Sequence, residues 1–247
     1  MSDRFYCPDR PVDGRARLEG DEARHLIKVR RVAVGESVEL FDGRGHRYRA
    51  EVATLGRDLV DLAVLALADP DPAPALALTL ATAVPKGDRF DWLIEKATEL
   101  GVARLIPLVT ERSSVDPRSA KLERLRRVVI EASKQSRRDR LMDLDPPTPW
   151  SSLVESPGSG LRLLAHPGGR PIAAVGPELS RGSALVAIGP EGGFTPAEVG
   201  RAEAAGWGLV GLGPTVLRVE TAAIAATAAL LAAAEAFRGS SGHRGEF

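Results

Sequence analysis

The stretch Ala184-Leu-Val-Ala-Ile-Gly-Pro-Glu-Gly-Gly-Phe-Thr-Pro-Ala-Glu198 decides how this chain folds. Five apolar or small residues run directly into a Gly-Pro-Glu-Gly-Gly turn, and the turn runs directly into a helix start. Thr195 is a good N-cap, Pro196 occupies a position where a helix tolerates proline, and Glu198 completes a Thr-x-x-Glu capping box. A buried strand that ends in glycines at the mouth of a helix is where α/β proteins bind ligands. Glycine suits such a loop because a Cβ would fill the space a ligand needs. The turn is not a phosphate loop, since no Gly-Lys-Ser/Thr follows, and its glycine spacing is not the dinucleotide fingerprint.

The same grammar recurs downstream. Leu209-Val-Gly-Leu-Gly-Pro-Thr-Val-Leu-Arg-Val-Glu-Thr221 reads as a strand over 209–212, a Gly213-Pro214 turn, and a short segment carrying Arg218 and Glu220. Thr221 then opens an alanine-rich helix to about Phe237. Upstream, 76–83 reads as a strand. Asp88 caps a helix whose apolar stripe is Phe90, Leu93, Ile94, Ala97 and Leu100, closed by Gly101. A strand over 103–109 precedes a helix over 119–138, with Leu122, Leu125, Val129 and Ala132 inward and its basic residues outward. Strands follow over 161–165 and 185–188. This alternation predicts a mostly parallel sheet covered by helices.

The first seventy residues read differently, as a small β-rich domain. Val38, Leu40, Tyr48, Ala50 and Val52 alternate through a hairpin that turns at Asp42-Gly43, and 59–66 supplies a further strand. A short helix over 21–29 carries His25, Leu26 and Val29. Three prolines within 69–74 mark a stiff linker. The expected organisation is therefore a domain over 1–70, a second over 75–238, and a loose tail over 239–247.

Lysine plus arginine and aspartate plus glutamate balance at 33 each, so global charge announces no polyanion partner. Its distribution does. Residues 118–140 hold nine basic side chains against three acidic ones, a footprint suited to a polyanion. The single cysteine, Cys7, excludes an internal disulfide, and no Cys/His set has metal-ligand spacing. No run approaches a membrane span, the N-terminus lacks an apolar signal core, and the default location is the cytoplasm.

With these elements laid out, the chain resembles the RsmE-type family of ribosomal RNA uridine-N3 methyltransferases, within the SPOUT superfamily. The motifs carrying the likeness are His25-Leu-Ile-Lys-Val-Arg-Arg31, Leu40-Phe-Asp-Gly43, Lys86-Gly-Asp and Ile94-Glu-Lys-Ala-Thr-Glu-Leu-Gly101. To these are added Pro107-Leu-Val-Thr-Glu-Arg-Ser113, Glu131-Ala-Ser-Lys-Gln-Ser136, Ile188-Gly-Pro-Glu-Gly-Gly193 and Leu212-Gly-Pro-Thr-Val-Leu-Arg-Val-Glu-Thr-Ala222. Each alone is weak; the ordered set is specific. The resemblance implies an N-terminal PUA-like RNA-binding barrel and a C-terminal α/β domain with a trefoil knot. It also implies S-adenosylmethionine as methyl donor, a homodimer, and N3 of a uridine in small-subunit ribosomal RNA or the 30S subunit as acceptor.

Carried over residue by residue, the cofactor loops are Leu164, Ala165 and His166; Ile188, Gly189, Pro190, Glu191, Gly192 and Gly193; and Leu212, Gly213, Pro214 and Leu217, with Thr221 and Ala222 beyond. Uracil N3 carries a proton that must leave, which calls for a base or for positive charge near O2 or O4. Arg218 is the candidate stabiliser. Glu220 either orients Arg218 or accepts the proton, and Glu191 either contacts the donor or the partner loop, or stabilises its own turn. The candidate RNA contacts are His25, Lys28, Arg30, Arg31, Lys86, Arg124, Arg127, Gln135 and Arg138, with His25 better read as a packed or hydrogen-bonded residue than as an acid–base catalyst. Trp92, Trp150 and Trp207 read as core or interface residues. Two alternatives remain open: a SPOUT-fold methyltransferase with another RNA target, and a non-catalytic RNA-binding protein.

Overall fold

The structure is a computed structural model that describes residues 3–69, 73–115, 122–158 and 160–241. Arg118, Lys121, the start of the 119–138 helix, the middle of the proline linker and the last six residues of the expected tail lie outside that description. The chain divides into two compact units: Met1–Ala73 with Ile130–Leu141, and Pro74–Val129 with Met142–Phe247.

The first unit contains β1 (Arg4–Tyr6), β2 (Arg15–Glu19), α1 (Gly20–Arg24), β3 (Ser37–Phe41), β4 (Arg47–Leu55) and β5 (Leu59–Leu67). Its sheet order is β1-β3-β4-β5-β2, with β1 parallel to β3 and the remaining pairs antiparallel. The hairpin expected at 38–52 forms in the register Val38↔Ala50 and Leu40↔Tyr48. Its alternation puts Val38, Leu40, Ala50 and Val52 into one core with Phe5, Leu18, Leu26 and Leu62. The helix expected over 21–29 is corrected: α1 ends at Arg24, and His25–Arg30 widens into a π-helical turn that Arg31 closes at φ 53°. Ala23 and Leu26 are the buried positions, whereas Val29 is exposed.

Asp42, only 2% exposed, organises the hairpin loop. Its carboxylate accepts hydrogen bonds from the backbone N–H of Arg44 (2.7 Å) and His46 (3.1 Å) and pairs with His46 Nδ1 at 2.7 Å. Burial alone would raise its pKa, but these bonds prevail and hold the carboxyl below its usual range. A depressed folded-state pKa means stability that is present above the unfolded value and lost as pH falls through the folded one. Acid unfolding of the wild type is therefore expected to steepen below about pH 4. Asp42→Asn should be less stable at neutral pH and flatter in that window, as read by denaturant titration at several pH values.

The segment 130–141 contributes a buried ion pair to this unit. Arg4 pairs with Asp139, donates to the carbonyl of Arg138 (2.8 Å), and lies over the Phe41 ring. Burial pushes the Arg4 guanidinium below its ordinary pKa, against the opposing pull of Asp139 and Glu39.

The second unit contains β6 (Ala77–Ala83), α2 (Arg89–Leu100), β7 (Arg104–Val109), β8 (Asp143–Leu144), β9 (Thr148–Pro149), α4 (Trp150–Glu155), β10 (Leu161–Pro171), β11 (Ser183–Ile188), α5 (Pro196–Ala204), β12 (Gly208–Gly211) and α6 (Val219–Ser241). A 3-10 helix, Ile172–Arg181, links β10 to β11, and α3 (Leu122–Ser136) starts in this unit and ends in the first. The strand order is β12-β10-β11-β6-β7-β8, with β9 also beside β7, and every pair is parallel. The mostly parallel sheet expected from the alternation is thus present. In its core Trp150 meets Phe194 at a tilt and Trp207 edge-on, with centroid separations near 5 Å.

Several local readings need correction. Leu122 is 42% exposed and Leu100 is also exposed, so neither joins the buried stripe expected of it. Lys134 is buried instead of facing outward, because Glu22, Glu131 and His25 surround its ammonium group. Of the tryptophans read as core or interface, Trp150 and Trp207 are core, whereas Trp92 is 45% exposed on α2, which leaves it the interface reading. The last helix begins at Val219 rather than Thr221 and continues past Phe237 to Ser241. The expectation that no run approaches a membrane span also fails for this helix. Val219–Arg238 has the length and apolarity for one, because alanine-rich sequence leaves few charges. In the fold that helix lies against α2, β6, β11 and the 3-10 helix, with Ala222, Ala223, Ala226 and Leu230 buried.

Candidate active site

The site is assembled at one edge of the parallel sheet. β10, β11 and β12 are neighbours running in the same direction, so the loops that follow Ala165, Ile188 and Gly211 leave from the same C-terminal edge. Leu164 pairs with Ala187, one residue before Ile188, and Ala165 pairs with Val210, one residue before Gly211. All three expected cofactor loops are therefore brought together, at the edge where open α/β sheets carry their ligands.

The first loop is pinned onto the third by glycine. β10 bulges between Ala165 and Arg170 and then pairs with β12 a second time, Arg170 against Val210. A Cβ on Gly169 would strike the backbone of Leu209 and Val210, and one on Gly211 would lie 3.0 Å from the Gly169 carbonyl oxygen. Only a hydrogen side chain permits this approach. Gly193 and Gly213 serve the opposite purpose. Their φ values of +69° and +130° are strained for L side chains, and nothing lies within 4 Å of where a Cβ would point, so their backbone stays open.

The second loop is held from behind. The capping box forms as expected: Thr195 Oγ1 accepts from Glu198 N (3.2 Å), and Thr195 N donates to Glu198 Oε2 (2.8 Å). The other Glu198 oxygen accepts from the backbone N–H of Glu111 (3.0 Å), and Arg112 Nη1 donates to the carbonyl of Gly192 at 2.7 Å. β6 lies between β7 and β11, so the 110–113 loop reaches over the end of β6 to brace the glycine turn. The Thr-Glu-Arg-Ser motif announced no such role; its signal was only its place among the quoted motifs. Glu198→Ala removes a cap and strands a buried N–H, at a combined cost of about 2–3 kcal/mol. Denaturant titration should show that loss, and a change under about 0.5 kcal/mol would show the network to be idle.

Around these loops the polar candidates are placed as follows. Arg218 is exposed at the start of α6, and its carbonyl accepts the helix N–H of Ala222 (2.8 Å). Glu220 is 8% exposed and does not reach Arg218. Its Oε1 faces Arg89 Nη1 at 3.6 Å, and its Oε2 is buried without a hydrogen-bond partner. Arg89, at the first turn of α2, and Lys86, in the loop after β6, are both exposed at the same sheet edge. Leu217 is half-buried, whereas Gly213, Pro214 and Val216 are exposed. Glu191, Gly192 and Pro190 lie in the turn, with Pro190 buried and the other two exposed, Pro190 accepting from Gly193 N (2.8 Å). Gly189 packs on the Phe194 ring, and a Cβ there would come within 2.9 Å of it. Thr221 is exposed and Ala222 buried, while His166 accepts from Gly168 N through Nδ1 (3.1 Å). Two cavities of about 330 and 630 Å³ lie away from these loops, one beside α6 and the start of β6, the other along β2 and β5.

The expected RNA residues divide between the units. In the second, Lys86, Arg124 and Arg127 are exposed, with Arg124 paired to Asp91. In the first, Lys28, Arg31 and Gln135 are exposed, and Arg30 pairs with Asp3. Arg138 is half-buried, and desolvation lowers its pKa. His25 sits edge-on to Phe5 with its Nδ1 3.2 Å from Lys134 Nζ, a packed and hydrogen-bonded residue.

Residues 72–231 match the RNA methyltransferase domain family, and residues 18–65 match the RNA methyltransferase PUA domain family. A ribosomal RNA small subunit methyltransferase E from Synechocystis is 32% identical over 60% of this chain and 48% of its own. The Bacillus subtilis protein of that name is 31% identical over 51% of this chain and 52% of its own. The chain thus spans about half the length of the curated relatives it matches. The crystal structure of a ribosomal RNA small subunit methyltransferase E from Neisseria gonorrhoeae, bound to S-adenosyl methionine, is similar with a TM-score of 0.85 at 30% identity. That similarity covers 94% of this chain and 98% of that one.

Proposed function

This chain belongs to the RNA methyltransferase domain family, and from that premise we propose that it transfers a methyl group from S-adenosylmethionine to N3 of a uridine in small-subunit ribosomal RNA. The observation that carries the proposal is the convergence of the three loops on one sheet edge, with Gly169 and Gly211 in contact and the backbone at Gly193 and Gly213 left open. Such a cradle fits an adenosine held by backbone groups, with Leu164, Ile188, Gly193, Leu212, Gly213 and Leu217 as its walls. When bound, S-adenosylmethionine supplies an electrophilic methyl group on sulfur.

The protein's own task is to position the acceptor and to make N3 nucleophilic. N3 lies on the Watson–Crick edge, so the uridine must be unpaired or flipped. Arg218, exposed at the mouth of the third loop, is assigned to stabilise the negative charge that O2 or O4 acquires as N3 loses its proton and attacks the methyl carbon. Glu220, paired with Arg89 rather than with Arg218, is left as the candidate proton acceptor. Exposed Lys28 and Arg31 on the first unit, and exposed Lys86 and Arg127 on the second, are each assigned to RNA phosphates.

The wider assignment is part of the same proposal: a homodimer working on the 30S subunit or its RNA in the cytoplasm, with modules over 1–70 and 75–238. A knotted C-terminal segment, implied by the family resemblance, belongs to the same proposal. Mass spectrometry of small-subunit ribosomal RNA incubated with the protein and S-adenosylmethionine tests the proposal. One new N3-methyluridine is expected; methylation of a different atom or base would replace the assignment, and an unmodified RNA would favour a non-catalytic binder.

A further inference from the structure

The hairpin loop over 42–46 contains none of the candidate RNA contacts, yet it is built more firmly than a connecting loop needs. Arg44 pairs with Arg140 across an antiparallel bridge. Residues opposed in this way send their side chains from the same face, where two like charges repel. Both arginines are exposed, and among the described residues neither guanidinium has a carboxylate partner. Arg140 also lies against Gly45, where a Cβ would come within 3.1 Å of its Nη2, so glycine admits the guanidinium to the loop.

His46 completes the group. Its Nδ1 is committed to Asp42, its ring stacks on Tyr48, and its side chain is 38% exposed, which leaves Nε2 for an outside partner. The negative charge of Asp42 is buried and already satisfied by three hydrogen bonds. Backbone bonds from Gly45 N to Asp139 O (3.1 Å) and from Leu141 N to Gly43 O (2.9 Å) fix the two strands that carry the arginines. A like-charged pair held in register by this much structure is a site for an anion.

We propose that Arg44, Arg140 and His46 form a binding site for the phosphodiester backbone of RNA. The loop lies inside 18–65, the stretch that matches the RNA methyltransferase PUA domain family, and two guanidinium forks on one face suit phosphate oxygens. The site reads no sequence; it fixes the orientation of the substrate strand. The inference rests on the reading that the substrate is RNA.

The test is fluorescence anisotropy with a labelled fragment of small-subunit ribosomal RNA, comparing the wild-type chain with Arg44→Gln/Arg140→Gln over a series of salt concentrations. The double variant is expected to bind about ten-fold more weakly at 0.1 M salt. Its slope of log affinity against log salt should be shallower by about 1–2, one counterion-release step per lost contact. Thermal stability should hold or rise, since a repulsive pair has been removed. Unchanged affinity and slope overturn the site, and so does weaker binding accompanied by a fall in Tm, which would mark the arginines as structural. A parallel methylation assay keeps the two claims apart. If the wild type methylates RNA and the double variant binds it equally well, only this site falls. If the wild type neither binds nor methylates RNA, the functional reading falls with it.

Discussion

Replacing Arg218 with alanine is expected to slow methyl transfer by about 100-fold or more while leaving the affinity for S-adenosylmethionine within a few-fold of wild type. The magnitude is that of removing one preorganised donor from a developing anion. The side chain is exposed and has no carboxylate partner among the described residues, so its loss should cost little stability. The cradle assigned to the donor is made of loop backbone, which the substitution leaves alone. Single-turnover kinetics at saturating donor separates the two effects, and calorimetry supplies the affinity. Full activity in Arg218→Ala would remove the residue from the mechanism and leave Glu220 with Arg89 as the remaining polar group at that loop.

The second large effect concerns stability of the first unit. Arg4→Ala deletes one half of a buried ion pair and strands the Asp139 carboxylate in the interior, at an expected cost of about 3 kcal/mol, the lower end for such lesions. The lower end applies because Arg47 Nη1 also stands 3.8 Å from Asp139 and supplies part of the missing charge. The substitution additionally leaves the Arg138 carbonyl without the guanidinium bond and uncovers the Phe41 ring. Replacing both partners with apolar residues, Arg4→Met with Asp139→Leu, should restore only part of the loss: the buried Asp139 charge is gone, but Glu39, 3.6 Å from Arg4 Nε, still loses its partner. Equilibrium denaturation of the single and double variants measures this directly. A loss below about 1 kcal/mol for Arg4→Ala would mean that water reaches Asp139.

Much of the second unit could be read from sequence because its signals are local. The strand ending at Ile188, the Thr195–Glu198 capping box and the Gly101 helix stop each depend on residues within a few positions of one another. The hairpin register over 38–52 was legible for the same reason: period-two burial fixes which residues face the core. What escaped depends on distance along the chain. Lys134 has the helical spacing of an outward residue, and Glu22 and His25, 112 and 109 positions earlier, draw it inside. The pairing of β12 with β10, the second pairing of β10 beyond its bulge, and the return of 130–141 to the first unit are likewise set by tertiary packing, which no window of periodicity contains. At the candidate site, the loop glycines stood out by composition. The Arg89–Glu220 pair and the bracing of the glycine turn by Glu111 and Arg112 did not, since each joins residues eighty or more positions apart.

The claim on which the account depends is that three turns from adjacent parallel strands make one pocket for a sulfonium nucleoside. A crystal structure of this chain grown with S-adenosylmethionine addresses it without intermediate steps. The expected result is an adenosine enclosed by residues 164–169, 188–193 and 212–217, contacted mainly by their backbone, with the methyl group turned toward Arg218. Donor density elsewhere on the molecule, or a complex in which one of the three turns makes no contact with the ligand, would contradict it.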